Sequence, residues 1–227
     1  MIKLLDLNND WQQERPTLIL SEKEINFLGY QKFTIKNKVI FPTSENTKLK
    51  FNIVKKYIYN DVNNNTITDL CCANTFFGYF SALNGATNIT GVDLDKEYKK
   101  LNKMLITYLN LNNIQIIEKQ ATEYTNSSDI TFAFATIHWL YSCSGFLQSL
   151  ENVINHLSNI TNKILYVEWI DPKDSCILEF KHLDYNNKNT KKDYNKNNFL
   201  KYLSDNFNSI EFLGSSKGTR EIFRCVK

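Results

Sequence analysis

From Ser44 onward, hydrophobic and polar positions switch repeatedly between a period near 3.6 and a short β-branched run, the pattern of alternating helices and strands. Ser44–Tyr59 has Leu49, Ile53, Val54, Tyr57 and Ile58 at helical spacing, one face to lay on a sheet. Asp61–Asn65 is a polar turn and Ile67–Leu70 a short β-branched strand. Phe76–Leu83 returns to helical spacing and closes at Asn84-Gly85, and Ile89–Val92 is a second buried strand with Asp93 at its carboxyl end. Lys96–Leu111 predicts a helix that buries Leu101, Met104, Leu105, Tyr108 and Leu109, and Ile114–Glu118 a third strand. Asp129–Trp139, DITFAFATIHW, is continuous, β-branched and aromatic, as a strand covered on both faces should be, and places His138 and Trp139 at its end. An amphipathic helix at Ser149–Leu157 leads to a fifth parallel strand, Lys163–Trp169, running into Ile170-Asp171-Pro172.

The two ends depart from this alternation. In Met1–Leu28, Ser21 and Glu24 have capping-box spacing ahead of Ile25, Phe27 and Leu28, which predicts one or two helices. Tyr30–Phe41 alternates as a hairpin around Lys36-Asn37-Lys38, ended by Pro42. After Ser175 a lysine- and asparagine-rich stretch precedes a helix around Phe199, Leu200, Leu203 and Phe207; it reads as a solvated loop or as a substrate-facing excursion. Ser209–Leu213 and Glu221–Val226 form a terminal hairpin. The chain therefore divides into residues 1–60, a small N-terminal cap with the first helix, and residues 61–227, the main α/β unit.

Composition narrows the class. With 227 residues, 42% hydrophobic and 13% aromatic, the chain suits one globular domain with a full core, and no apolar run reaches the roughly 20 residues of a bilayer span. The start lacks the apolar segment and cleavage site of a secretory signal, so a cytoplasmic protein is expected. Five cysteines without C-x-x-C spacing point to reduced thiols rather than a disulfide framework or zinc site. A formal charge of +3 does not announce a nucleic-acid partner. Abundant Asn and Lys fit an A/T-rich coding genome, such as that of a large DNA virus or a protist.

The stretch Thr66–Asp95 organises the rest, because strand, tight turn, helix and second strand follow one another there without slack. Small residues in the turn admit a ligand to the backbone, and a carboxylate at the end of the next strand, roughly twenty residues on, accepts both hydroxyls of a ribose. Cys71, Ala73 and Thr75 stand where a dinucleotide fold would carry glycines, so a pyrophosphate on this turn is not expected.

The segment DLCCANTFFG, followed by Asp93 at the second strand end, resembles motifs I and II of class I S-adenosylmethionine-dependent methyltransferases. Asp69, Cys72 and Phe76-Phe77 fit that pattern, whereas Cys71 and Thr75 replace glycines. The resemblance covers Ile67–Lys227. It implies a Rossmann-like, doubly wound, mostly parallel seven-stranded sheet closed by a C-terminal antiparallel hairpin, and S-adenosyl-L-methionine as cofactor. It also implies a cofactor site drawn from Asp69, Cys71, Ala73, Thr75, Phe76, Phe77, Asp93, Leu94, Gln120, Ala121 and Thr136, with Gln120 just past the third strand toward the adenine.

Methyl transfer is an in-line displacement, and an aliphatic hydroxyl acceptor benefits from a base. His138 is the leading base and His182 a second; Asp171 and Glu168 are placed to orient it, bind sugar hydroxyls or hold a metal. Trp139, Tyr141 and Trp169 offer faces for a sugar or a sulfonium, and Trp11 with Arg15 is a further candidate pair for a polar ligand. A buried structural histidine and aromatic core packing are the competing readings. The texture of HWLYS and VEWIDP is similar to methyltransferases of bacterial and viral polysaccharide assembly, which implies a glycan hydroxyl as acceptor. No N-P-P-Y or D-P-P-Y follows the fourth strand and no lysine ends it, which disfavours base and ribose methylation. A nucleic-acid or small-molecule methyltransferase, or a non-catalytic cofactor-binding subunit, are the alternatives.

Overall fold

The computed structural model describes residues 15–143, 147, 149–179 and 193–227. Four short strands, β1 (Thr17–Leu20), β2 (Ile25–Leu28), β3 (Phe33–Lys36) and β4 (Val39–Pro42), form an antiparallel sheet in sequence order. Helix α1 (Glu45–Asp61) follows, its first turn capped by the Ser44 hydroxyl. Then come β5 (Thr66–Leu70), α2 (Phe76–Leu83), β6 (Asn88–Asp93), α3 (Lys96–Leu109) and β7 (Ile114–Glu118). The chain continues through β8 (Ser128–Ala133), α4 (Ile137–Cys143), α5 (Leu150–Asn159), β9 (Thr161–Ile170) and α6 (Ser175–Glu179). It ends with α7 (Lys196–Asn206), β10 (Ser209–Lys217) and β11 (Arg220–Val226).

The second sheet has seven strands in the order β10-β11-β9-β8-β5-β6-β7. Neighbours from β9 to β7 pair in parallel, and β11 lies antiparallel to both β9 and β10. Only β11 is therefore reversed, as the expected doubly wound sheet with a terminal hairpin requires. The strand order changes direction between β5 and β8, which opens a crevice at their carboxyl ends. Strand β9 is covered on both faces: Ile164 and Tyr166 join the core under α1 and α2, while Leu165, Val167 and Trp169 join the core under α5 and α7.

The four-stranded sheet shares the first of these cores. Phe33 packs on Phe76 and Tyr79 of α2 at ring separations of 6.1 and 5.5 Å. The β3–β4 hairpin turns through Asn37 (φ 52) and Lys38 (φ 64), the left-handed pair that suits the twist of a two-residue hairpin loop.

Three expectations are corrected. Within the described part of Met1–Leu28, Thr17–Leu28 is a hairpin rather than helix: the Ser21 hydroxyl donates to the Glu24 carbonyl at 2.7 Å and accepts the Glu24 N–H at 3.1 Å, so cap-like residues close a β-turn. The fourth strand stops at Ala133, and His138 and Trp139 stand on α4, because the chain turns sharply at Ala135 (φ 52). On α3 the buried residues are Tyr98, Asn102 and Leu105, whereas Met104 and Tyr108 are about half exposed; the helix turns its polar Asn102 inward to serve the site below.

Candidate functional site

The loop between β5 and α2 takes left-handed backbone at alternate residues, Cys71 (φ 56), Ala73 (φ 45) and Thr75 (φ 51). Glycine is the unstrained residue for that conformation, and none of the three is glycine. The loop is pinned instead. The Cys72 N–H donates to the Val92 carbonyl at 3.1 Å, that of Ala73 to Asp93 Oδ2 at 2.8 Å and that of Thr75 to the Cys72 carbonyl at 2.6 Å. The Phe76 N–H, the first of α2, donates to Gln31 Oε1 at 2.9 Å, and Asn102 Nδ2 donates to the Ala73 carbonyl at 2.8 Å. A phosphate would need such backbone donors free. With four of them committed to protein acceptors, the turn suits a nucleoside ligand that carries no phosphate.

Two carboxylates frame this loop. Asp69 is buried beneath it and accepts the Thr75 hydroxyl at 2.8 Å; burial pushes its pKa up to about 7, opposed by that hydrogen bond and aided by the nearby Asp93. Asp93 accepts the Ala73 N–H on one oxygen and the Asp95 N–H on the other, at 2.8 and 2.9 Å. Burial raises its pKa too, against those two amides.

Two cavities open beside the loop, of about 410 and 320 Å³, and both are lined by Cys71, Asp93 and Trp139. The smaller runs over Val92, Leu94, Gln120, Ala121 and Leu140. The larger runs over Ala73 and Tyr98 to Tyr30, Asn46, His138, Cys176 and Arg220. His138 is 3% exposed, with Nε2 4.0 Å from Cys176 Sγ. Burial, with Asp174 adding to it, pushes the Cys176 thiol up to about 12, so it stays protonated. Arg220 donates to Asp174 through Nε and Nη2, both at 2.9 Å, and although burial works against the Asp174 charge, these bonds hold its carboxyl below the usual range.

Of the residues singled out in the sequence, Cys71, Ala73, Asp93, Leu94, Gln120, Ala121, His138 and Trp139 line one or both cavities. Asp69, Thr75 and Thr136 lie buried behind the loop, with the Thr136 hydroxyl donating to the Leu70 carbonyl at 3.2 Å; Phe76 and Phe77 are core rings. Four others line neither cavity. Glu168 is fully buried, paired with Lys50 Nζ at 2.7 Å and accepting from the Ala135 N–H at 2.8 Å and the Ser216 hydroxyl at 3.1 Å. Trp169 is 1% exposed and stacked on Tyr194 at 4.8 Å, and Tyr141 is buried with its hydroxyl on Asp193 at 2.8 Å. Asp171 belongs to the turn after β9, where its Oδ1 accepts the Lys173 N–H at 2.9 Å. Arg15 is exposed just before β1 and also lines neither cavity, while Trp11 and His182 lie outside the described residues.

The sequence reading missed Gln31, Asn46, Tyr98, Asp174 and Arg220. Asp174 left a local signal, as a capping acid just ahead of Ser175, and Tyr98 follows Asp93 closely in the first turn of α3, whereas Gln31, Asn46 and Arg220 reach the site from distant segments. Among the described residues no cluster of three or more His, Cys, Asp or Glu side chains is placed to hold a metal ion, and no helix is long and apolar enough to cross a membrane.

No protein-family model matches the chain. Solved structures with the same fold include magnesium protoporphyrin IX methyltransferase from Synechocystis PCC 6803 with bound S-adenosylhomocysteine, at TM-score 0.57 and 12% identity over 80% of this chain and 82% of that one. They include the bifunctional kinase-methyltransferase WbdD, at TM-score 0.59 and 12% identity over 78% of this chain and 39% of that one. A putative O-methyltransferase from Nostoc punctiforme PCC 73102 matches at TM-score 0.55 and 13% identity, over 80% and 57%. At such identities the likeness shows the fold alone, which this chain shares with these methyltransferases.

Proposed function

We propose that the protein transfers a methyl group from S-adenosylmethionine to a hydroxyl of a sugar or glycan, with His138 as general base. The observation that carries the reading is the pair of cavities that share Cys71, Asp93 and Trp139, beside a loop with four of its backbone donors committed to protein acceptors. S-adenosylmethionine, when bound, supplies an electrophilic methyl group on a sulfonium. Each Asp93 oxygen takes one backbone N–H and keeps a lone pair for a ribose hydroxyl. Gln120 offers an amide able to donate and accept toward an adenine edge, while Leu94, Ala121 and Leu140 give the smaller cavity its apolar walls. Trp139 puts an aromatic ring at the join, where a cation is attracted to its face.

The larger cavity then receives the acceptor. Its far end carries an imidazole, a phenol, a carboxamide and a guanidinium, from His138, Tyr30, Asn46 and Arg220, a set suited to a molecule rich in hydroxyls. His138 is the imidazole in that wall, and a base accelerates transfer to a barely acidic hydroxyl by about 10²- to 10⁴-fold. The similarity of HWLYS and VEWIDP to polysaccharide-modifying enzymes supports a glycan acceptor.

Isothermal titration with S-adenosylhomocysteine tests the cofactor step, and a screen of hydroxylated acceptors with radiolabelled methyl donor tests the transfer. His138→Ala should keep the affinity for S-adenosylhomocysteine and lower turnover by about 10²-fold or more. Folded protein giving no saturable heat would remove the reading, and a His138→Ala variant with undiminished turnover would remove the base.

A further inference from the structure

The turn between β2 and β3 is bonded directly to the candidate cofactor loop and its neighbour α3. Asn74 Nδ2 donates to the Leu28 carbonyl at 3.0 Å, and the Gln31 N–H donates back to Asn74 Oδ1 at 3.0 Å. Gln31 Oε1 accepts the Phe76 N–H at 2.9 Å, and the Tyr30 N–H donates to Tyr98 Oη at 2.9 Å. Asn74 is 0% and Gln31 6% exposed. The approach is too close for a side chain at Gly29 (φ +138), where a Cβ would stand 2.8 Å from Tyr98 Oη and 2.9 Å from Asn74 Oδ1.

Helix α2 has no cap of its own. Thr75, at the capping position, is left-handed, and its hydroxyl goes to Asp69 instead of the first-turn amides. Gln31 supplies the missing acceptor from 45 residues away. Three left-handed residues that are not glycine persist only where surrounding structure over-determines them. The β2–β3 turn is the part of that surrounding structure contributed by the N-terminal sheet.

We infer that Gln31 is a positioning residue: through Asn74 and Phe76, the N-terminal sheet clamps the loop Cys71–Thr75 in the conformation that receives the cofactor. The clamp replaces the intrinsic preference that glycines would give the loop. The inference rests on the cofactor reading proposed above for what the loop binds, and on hydrogen-bond geometry alone for what holds it.

The test is a double-mutant cycle. Gln31→Met keeps the side chain's bulk and removes the acceptor, Gln31→Glu keeps an acceptor oxygen, and Ala73→Gly lets the loop take its left-handed shape without strain. In the wild-type background Gln31→Met should weaken S-adenosylhomocysteine binding by roughly ten-fold and Gln31→Glu by clearly less. In the Ala73→Gly background the loss from Gln31→Met should shrink to about two- to three-fold. A merely structural role gives the same loss in both backgrounds, and that outcome overturns the clamp, as does wild-type affinity in folded Gln31→Met protein. Amide exchange across Cys71–Phe76 in the ligand-free proteins is the second readout. Exchange should rise in Gln31→Met and rise less when Ala73→Gly is added, and no rise overturns the inference. If wild-type protein binds no S-adenosylhomocysteine, the cofactor reading falls while exchange still decides the clamp.

Discussion

Replacing Lys50 by methionine removes the counter-charge of a pair buried behind the candidate site. Lys50 Nζ lies 2.7 Å from Glu168 Oε2, with side-chain exposures of 6% and 0%. Burial opposes the lysine's charge, yet Glu168, with Tyr30 adding to it, holds the lysine pKa above its ordinary value. In Lys50→Met the carboxylate keeps two neutral donors, the Ala135 N–H and the Ser216 hydroxyl, and loses its only directly bonded cation among the described residues. Breaking one side of a buried pair destabilises by about 3–5 kcal/mol. Arg220 acts on Glu168 at longer range while bonded to Asp174, which puts the loss at the lower end, roughly 3 kcal/mol. For a chain of this size that lowers Tm by about 6–12 °C. The assay is urea unfolding of Lys50→Met, Glu168→Gln and the double variant at one pH. Removing both charges should recover much of the loss, leaving the double variant within about 2 kcal/mol of wild type. A single-variant loss below about 1 kcal/mol, or a double-variant loss equal to the sum of the singles, would refute the argument that this pair is held as a coupled charge.

Asp93→Ala should weaken S-adenosylhomocysteine binding by about 1–3 kcal/mol, roughly 5- to 150-fold by titration calorimetry; unchanged affinity would move the ribose contact elsewhere. Trp169→Ala should cost about 3–5 kcal/mol in denaturant unfolding, since its ring is core between Tyr194 and Phe199, and a loss under about 1 kcal/mol would return Trp169 to the rim. Asp69 gives a pH dependence of definite sign: its pKa in the folded protein, about 7, lies above the ordinary 3.8, so folding favours the protonated carboxyl. Its contribution is full below the ordinary pKa and is lost as pH rises through about 7, on the order of 4 kcal/mol. Ligand-free wild-type protein should therefore lose stability between pH 4 and 8 relative to Asp69→Asn, and parallel curves would exclude the shift.

What the sequence disclosed follows from the range of the interactions involved. Helix α2 begins and ends where periodicity and Asn84-Gly85 placed it, and the hydroxyls of Ser44 and Ser149 cap α1 and α5. Periodicity and caps are local, and local signals are written in neighbouring residues. Ser21 and Glu24 misled because the same two side chains close a hairpin as readily as they cap a helix. DITFAFATIHW hid the end of β8 because burial of both faces erases alternation, so the turn at Ala135 interrupts no pattern. Glu168 and Trp169 looked like rim residues for a related reason. On a strand covered from both sides, an acid can face a buried lysine from α1 while its neighbour faces the rings of α7, and no spacing rule records that. Gln31, Tyr30 and Arg220 reach the loop and cavities from the N-terminal turn and the last strand, so only tertiary structure brings them into view.

The same contrast explains how this fold holds the β5–α2 loop without glycines. A left-handed L-residue costs roughly 1–2 kcal/mol, so Cys71, Ala73 and Thr75 together store about 3–6 kcal/mol. Against this stand the bonds Cys72 to Val92, Thr75 to Cys72, Ala73 to Asp93, Thr75 to Asp69, Asn102 to Ala73, Asn74 to Leu28, Gln31 to Asn74 and Phe76 to Gln31. At about 0.5–1.5 kcal/mol net apiece, their total is of the same order as the strain. Three of these eight involve the β2–β3 turn, so its loss removes more than a third of what offsets the strain. A glycine loop is permissive and pays its ordering entropy when a ligand arrives, whereas a side-chain-bearing loop held from outside is ordered beforehand. The N-terminal sheet thereby belongs to the energetics of the site as much as Asp93 does, even though Gln31 lines neither cavity.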